Sequence, residues 1–129
     1  MSAPQAEAVV LSYMEAFRSG DIVGASQCYA PAYVLASDGE AGLSLVEAVA
    51  ARIAGLHANT IGRGLGLEIS NLVSVALGSG ATAVGCELLW QGPSEHRRQE
   101  VTYLLTQDGG WRICAVLPGR LLALGPDRP

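Results

Sequence analysis

Apolar positions along this chain change their period once, near residue 65. Before that point they recur at helical spacing. Val9, Val10, Tyr13, Met14 and Phe17 form one stripe, preceded by Ser2 and Gln5 in a capping-box arrangement and ended by Gly20. Asp21 then caps a second helix in which Ile22, Ala25 and Tyr29 face one way, with Pro31 as its stop. Tyr33 to Ser37 reads as a strand closed by an Asp38-Gly39 turn. Ser44 with Glu47 forms a second capping box, which predicts a third helix carrying Leu45, Val46, Val49, Ile53 and Leu56 and stopping at Asn59.

From Leu65 onward the period is two, broken by Gly78-Ser79-Gly80, Gln91-Gly92-Pro93-Ser94 and Asp108-Gly109-Gly110. Four strands joined by hairpins are therefore expected. Helices first and a meander last predict an α+β domain, with helices packed on one face of an antiparallel sheet. On the first of these strands the odd row Leu65, Leu67, Ile69, Val73, Val75 and Leu77 is expected to face the helices. Asn71 interrupts that row, so it lines a polar pocket or marks a bulge. Glu87 outward places Val84, Cys86, Leu88 and Trp90 inward. Glu100, Thr102 and Thr106 outward place Val101, Tyr103 and Leu105 inward. The strand beginning at Trp111 is apolar on both faces, so its phase is open, and Pro118 to Pro129 reads as an irregular tail.

Composition narrows the class. The 129 residues suit one domain, and 50% hydrophobic against 16% charged residues favours a folded core over disorder. A net charge of −4 argues against a nucleic-acid partner. Without a basic-then-apolar N-terminal segment or a run long enough to span a bilayer, the chain reads as cytoplasmic with no membrane partner. Cys28, Cys86 and Cys114 have no paired spacing, and no His, Asp and Glu cluster has metal-ligand spacing, so neither a metal nor another cofactor is expected.

The run from Tyr13 to Ile22, with Tyr29 after it, resembles the opening of ketosteroid isomerases and SnoaL-like polyketide cyclases of the nuclear transport factor 2-like superfamily. Asp108 to Ile113 resembles that group's last hairpin. The resemblance covers nearly the whole chain. It implies a cone-shaped barrel in which three N-terminal helices pack on a curved antiparallel sheet. In the isomerases a first-helix tyrosine and a protonated aspartic acid hold a developing oxyanion while a second aspartate shuttles the proton. By that comparison Tyr13 matches the tyrosine, Tyr103 stands at the oxyanion acid, and Ser37 stands at the base with Asp38 as its acidic neighbour. Two of three positions therefore depart from the pattern, and an unactivated serine hydroxyl is no proton shuttle at neutral pH.

Three functions stay open on these grounds. One is a pocket for a small apolar carbonyl compound, with Tyr13, Asp38 and Tyr103 as catalytic candidates and Asn71, Val84, Cys86 and Val101 as ligand-binding candidates. Another is a non-catalytic homodimer joined through the sheet, its cone filled by its own side chains. The third is a cyclase or dehydratase using Asp38 with Tyr13. Other signals read as structural. Gly62-Arg63-Gly64-Leu65-Gly66 enters a strand rather than a helix, the reverse of a phosphate loop. His57 suits a helix C-terminus. Glu95-His96-Arg97-Arg98 is a solvated tip from which strand parity lets Arg97 face the cavity mouth.

Overall fold

The computed structural model describes residues 3–36, 43–107 and 109–123. Helix α1 (Ala3–Ser19) is followed by α2 (Ile22–Gln27), strands β1 (Tyr29–Ala36) and β2 (Leu43–Val46), helix α3 (Val49–Ala58) and a 3-10 turn at Ile61–Arg63. Strands β3 (Gly66–Gly78), β4 (Ala81–Gln91), β5 (His96–Gln107) and β6 (Trp111–Ala123) complete it. One six-stranded sheet runs in the order β2-β1-β6-β5-β4-β3. Three helices on one side of an open sheet give the expected α+β architecture.

The sheet is mixed rather than purely antiparallel. β1 pairs parallel with β6, and every other neighbouring pair is antiparallel. That pairing also corrects the reading of Tyr29, which opens β1 instead of closing α2. The Ile113 amide bonds the Cys28 carbonyl at 2.9 Å, so the ladder begins where a further helical turn was expected. Pro31 lies inside β1, and the register slips between Tyr29 and Val34, as a residue without an N–H requires.

Leu43–Val46 is likewise a strand, not the first turn of the third helix. It pairs with Tyr33 to Ala36 across the edge of the sheet. The Ser44 and Glu47 capping box does not form, and α3 starts at Val49 after Ala48, with no side-chain cap. Backbone pairing along a whole strand outweighs one local cap. The second helix keeps its predicted start, where Asp21 accepts from the Gly24 amide at 3.0 Å. The third keeps its Asn59 stop. Beyond Pro118, where an irregular tail was expected, the chain stays in β6 to Ala123, pairing Leu121 and Leu122 with Gln99 and Arg98; residues 124–129 lie outside the described residues.

Two bulges decide which side chains face the helices. Asn71 takes a left-handed φ of 56°, and the β3–β4 register slips between Ser70 and Val73. Leu65 and Leu67 are buried as expected, whereas Val73, Val75 and Leu77, past the bulge, are 63%, 56% and 59% exposed. An extra residue in a period-two pattern turns every later side chain to the other face. In β6 Cys114 is the extra residue, because Leu105 pairs with Ile113 and Leu104 with Ala115. Ile113 and Val116 thus share the inner face, which no strict alternation would place together.

The core lies between α1, α3 and this inner face, centred on Val10, Phe17, Ile53, Val84, Leu105 and Ile113. Polar contacts tie α1 to the sheet. Arg18 donates to the Leu67 carbonyl at 3.2 Å, Trp111 Nε1 to Gln5 Oε1 at 3.2 Å, and Ser74 to Glu7. All three cysteines are free, with Cys86 and Cys114 on strands separated by β5 as the meander implies. Among the described residues no helix is long and apolar enough to cross a membrane.

Candidate functional site

All four tyrosines of the sequence, Tyr13, Tyr29, Tyr33 and Tyr103, line one cavity of about 200 Å³ between the helices and the inner face of the sheet. Tyr13 comes from the buried stripe of α1, next to Met14 and Phe17. Tyr29 and Tyr33 both come from β1, one at its start and one past Pro31, and both line the cavity. Tyr103 stands at the middle of β5. Aliphatic groups of Ile53, Leu67, Leu88, Val101 and Val116 also line it, together with Arg52, Leu56, Trp90 and Gln99. The tyrosines are 3% to 5% exposed, so their rings are core and their hydroxyls are the polar groups the cavity has to offer.

The rings form one packed cluster. Tyr13 meets Tyr29 edge-on at 5.0 Å, Tyr103 at 6.1 Å and Phe17 at 5.9 Å, and Tyr29 meets Tyr33 at 4.7 Å. Burial pushes the Tyr13 phenol up to about 12, while a hydrogen bond with Tyr29 works the other way. The same bond raises Tyr29, already held well above the ordinary range by its own burial. Desolvation holds Tyr103 far above the usual phenol value. Tyr33 is also raised by burial, with the positive charge of Arg52 and then hydrogen bonding to it working the other way. At neutral pH all four are protonated donors.

Chemically, such a set can receive a carbonyl or enolate oxygen. A phenol fixed in an apolar cavity stabilises negative charge more than the same group in water. Among the described residues the wall carries no carboxylate or imidazole to move a carbon-bound proton. No group of three or more His, Cys, Asp or Glu among them could hold a metal ion.

The structure brings together three of the sequence-predicted residues: Tyr13, Tyr103 and Val101. Val84 and Cys86 are buried in the core and absent from this cavity's wall; Cys86 lines a separate, more open groove with Asn71 and Val101, and burial lifts its thiol to about 11. Asn71 does not reach the cavity. It is exposed at the bulge, donating to Glu87 Oε1 at 2.6 Å. Asp38 and Ser37 lie outside the described residues. Sequence reasoning missed Tyr29, Tyr33, Arg52 and Gln99. The Tyr-Ala-Pro-Ala-Tyr spacing carried the signal for the first two once it is read as strand, and Arg52 is the one arginine in an otherwise apolar helical segment.

The helix order, mixed sheet and inward cavity can now be set beside solved structures. Over 99% of this chain and 96% of the other, it superposes on a nuclear transport factor 2-like protein of unknown function from Pseudomonas putida, with TM-score 0.77 and 17% identity. The chain has the nuclear transport factor 2-like fold. A ketosteroid isomerase-like protein from Erwinia carotovora atroseptica matches over 98% of both chains, with TM-score 0.64 and 15% identity. The S. rosetta CaMKII hub matches over 92% of this chain and 96% of that one, with TM-score 0.76 and 13% identity. No protein-family model and no curated protein sequence matches the chain. The nuclear transport factor 2-like fold thus accommodates both an isomerase-like protein and a hub, and the fold alone does not choose between them.

Proposed function

We propose that this protein is a small-molecule pocket protein that binds an apolar carbonyl compound by its oxygen, with Tyr13 and Tyr103 as the donors and Tyr29 as the group that orients Tyr13. The observation carrying this reading is the convergence of every tyrosine in the chain on one cavity. Packing alone does not call for four hydroxyls in one place, since phenylalanine fills the same space without a polar group to desolvate. A cavity of about 200 Å³ suits a body of one or two rings, given that an apolar cavity of roughly 150 Å³ accepts benzene. Calorimetric titration with a neutral aryl ketone, 2-acetonaphthone, tests it. Saturable binding that Tyr13→Phe weakens supports the reading, and binding untouched by Tyr13→Phe and Tyr103→Phe together removes it. Turnover would need a base that the described wall does not supply. Asp38 is the candidate for that role in a cyclase or dehydratase, with loss of turnover in Asp38→Asn as its signature.

A second reading, association of two copies through the sheet, is supported by the outer face. Val75, Ala83, Leu104, Ala115, Val34 and Leu45 are register partners in one row across all six strands. Val75 is 56% and Leu45 64% exposed. A continuous apolar row of this kind is what a two-fold interface uses, because the same patch can meet itself. The two readings concern opposite faces of one sheet and are compatible. Sedimentation as a monomer at high micromolar concentration would remove the second and leave the first.

A further inference from the structure

Arg52 is the one charged side chain in the described wall of the cavity, set among phenols and apolar groups. The residue as a whole is exposed, yet it lines the same cavity as the buried tyrosines, so it stands where the cavity meets solvent. Its positive charge acts on the Tyr33 phenol. From there the contacts run inward. Tyr33 packs on Tyr29 with 4.7 Å between ring centroids, Tyr29 on Tyr13 with 5.0 Å, and Tyr13 on Tyr103 with 6.1 Å. One wall thus carries two kinds of donor, a cation at its solvated end and neutral phenols at its buried end, joined by consecutive contacts. Arg18, Arg63, Arg97 and Arg98 each lie within ion-pair distance of a glutamate, whereas Arg52 pairs with no carboxylate among the described residues. Arg97, which strand parity allowed at the cavity mouth, lines a separate groove and is paired there with Glu95.

We infer that the ligand of this cavity is an aryl keto acid, its carbonyl oxygen received by Tyr13 and Tyr103 and its carboxylate by Arg52. This rests on the pocket reading, keeps the two donors of that reading, and adds the residue that selects for charge. The order of the two ends follows from solvation. A carbonyl among protonated phenols exchanges water for hydrogen bonds, whereas a carboxylate there would lose its water with no cation beside it. At Arg52 the carboxylate keeps part of its hydration and gains a planar, charge-assisted partner whose fork matches its two oxygens. Two ring-to-ring steps, of 4.7 and 5.0 Å, separate Tyr33 beside Arg52 from Tyr13, a span that one para-substituted benzene ring bridges.

Calorimetric titration with three compounds of one shape tests it. 4-Acetylbenzoate has both ends, 4-acetylbenzamide lacks the charge, and 4-isopropylbenzoate lacks the carbonyl. Wild type is expected to bind 4-acetylbenzoate about tenfold more tightly than the amide at low ionic strength, a ratio that shrinks as salt is added. It should also bind 4-acetylbenzoate severalfold more tightly than the isopropyl compound. Arg52 belongs to the binding wall, so its variants are read through the acid-to-amide ratio rather than through either affinity alone. Arg52→Gln should bring that ratio close to one, and Arg52→Lys, which keeps the charge without the fork, should hold it between the two. Tyr13→Phe should lower the ratio of 4-acetylbenzoate to 4-isopropylbenzoate affinity. An amide that binds as tightly as the acid, or an acid preference that Arg52→Gln leaves intact, overturns the inference. Equal binding of 4-isopropylbenzoate and 4-acetylbenzoate overturns it too, because the carbonyl then goes unread. If 2-acetonaphthone binds and none of the three does, the inference alone falls. Failure of all four removes the pocket reading and this inference with it.

Discussion

The ring of Tyr13 stands edge-on to that of Tyr29, 5.0 Å between centroids and 80° between planes, and a hydrogen bond links the two hydroxyls. One residue comes from the first helix and the other from the first strand, so this contact joins the two layers of the domain at the cavity. Removing it as Tyr29→Phe should weaken 2-acetonaphthone binding severalfold, on the order of 1 kcal/mol for one hydrogen bond, with Tyr13 itself intact. Calorimetry on the variant checks this, and unchanged affinity would mean that Tyr13 needs no orienting partner.

Alkaline pH should unfold the protein through the same phenols. Tyr13 ionises at about 12 when folded against an ordinary value near 10 when unfolded. The raised folded value means that its contribution is complete below pH 10 and lost as pH climbs from 10 to 12. The loss is on the order of 2 to 3 kcal/mol. Tyr29 and Tyr103 shift in the same direction and add to it. Near-ultraviolet phenolate absorbance and circular dichroism followed together should change in one cooperative step. Phenolate appearing near pH 10 with the fold intact would contradict the buried cluster.

Asn71 holds its backbone in the left-handed region, which a side chain branched at Cβ tolerates poorly. Asn71→Val is expected to lower stability by about 2 kcal/mol, while Asn71→Gly stays within about 0.5 kcal/mol of wild type. Urea denaturation compares the two. Equal stability of the valine and glycine variants would argue for a regular strand at this position.

Thr82 is fully buried on the inner face of β4, and among the described residues its hydroxyl has no hydrogen-bond partner. Thr82→Val keeps the branched shape and removes an unsatisfied polar group. A gain in stability of about 1 kcal/mol is expected by denaturant titration. A loss of that size would show that the hydroxyl has a partner in solution.

On the outer face, Val75→Lys introduces a charge at the β3 end of the apolar row without touching the core. If two copies meet there, sedimentation should show the wild-type dimer converted to monomer, with a thermal midpoint for the monomer close to that of wild type at low concentration. A variant that remains dimeric would place any self-association elsewhere.

Much of the fold was legible because it follows from local pattern. The stripe of α1, the Asp21 cap and the Asn59 stop need only neighbours in sequence, as do the three hairpin turns. The inward rows of β4 and β5 were also readable, since neither strand carries an internal bulge and the period of two persists from end to end. The errors cluster where pairing partners lie far away. Leu43–Val46 and Tyr29 had helical signals, and each was captured by a strand whose partner, β1 or β6, is not a local feature.

The candidate site divides in the same way. The sequence by itself determined that Tyr13 and Tyr103 would be buried phenols, because helical and strand periodicity fix the face a side chain takes. Only the tertiary structure decided that Tyr29, Tyr33 and Arg52 join them in one cavity and that Asn71 leaves. Those outcomes depend on a parallel pairing between β1 and β6 and on bulges at Asn71 and Cys114. A bulge moves every later residue to the opposite face, so one extra residue in the pairing redistributes the polar groups of a whole strand.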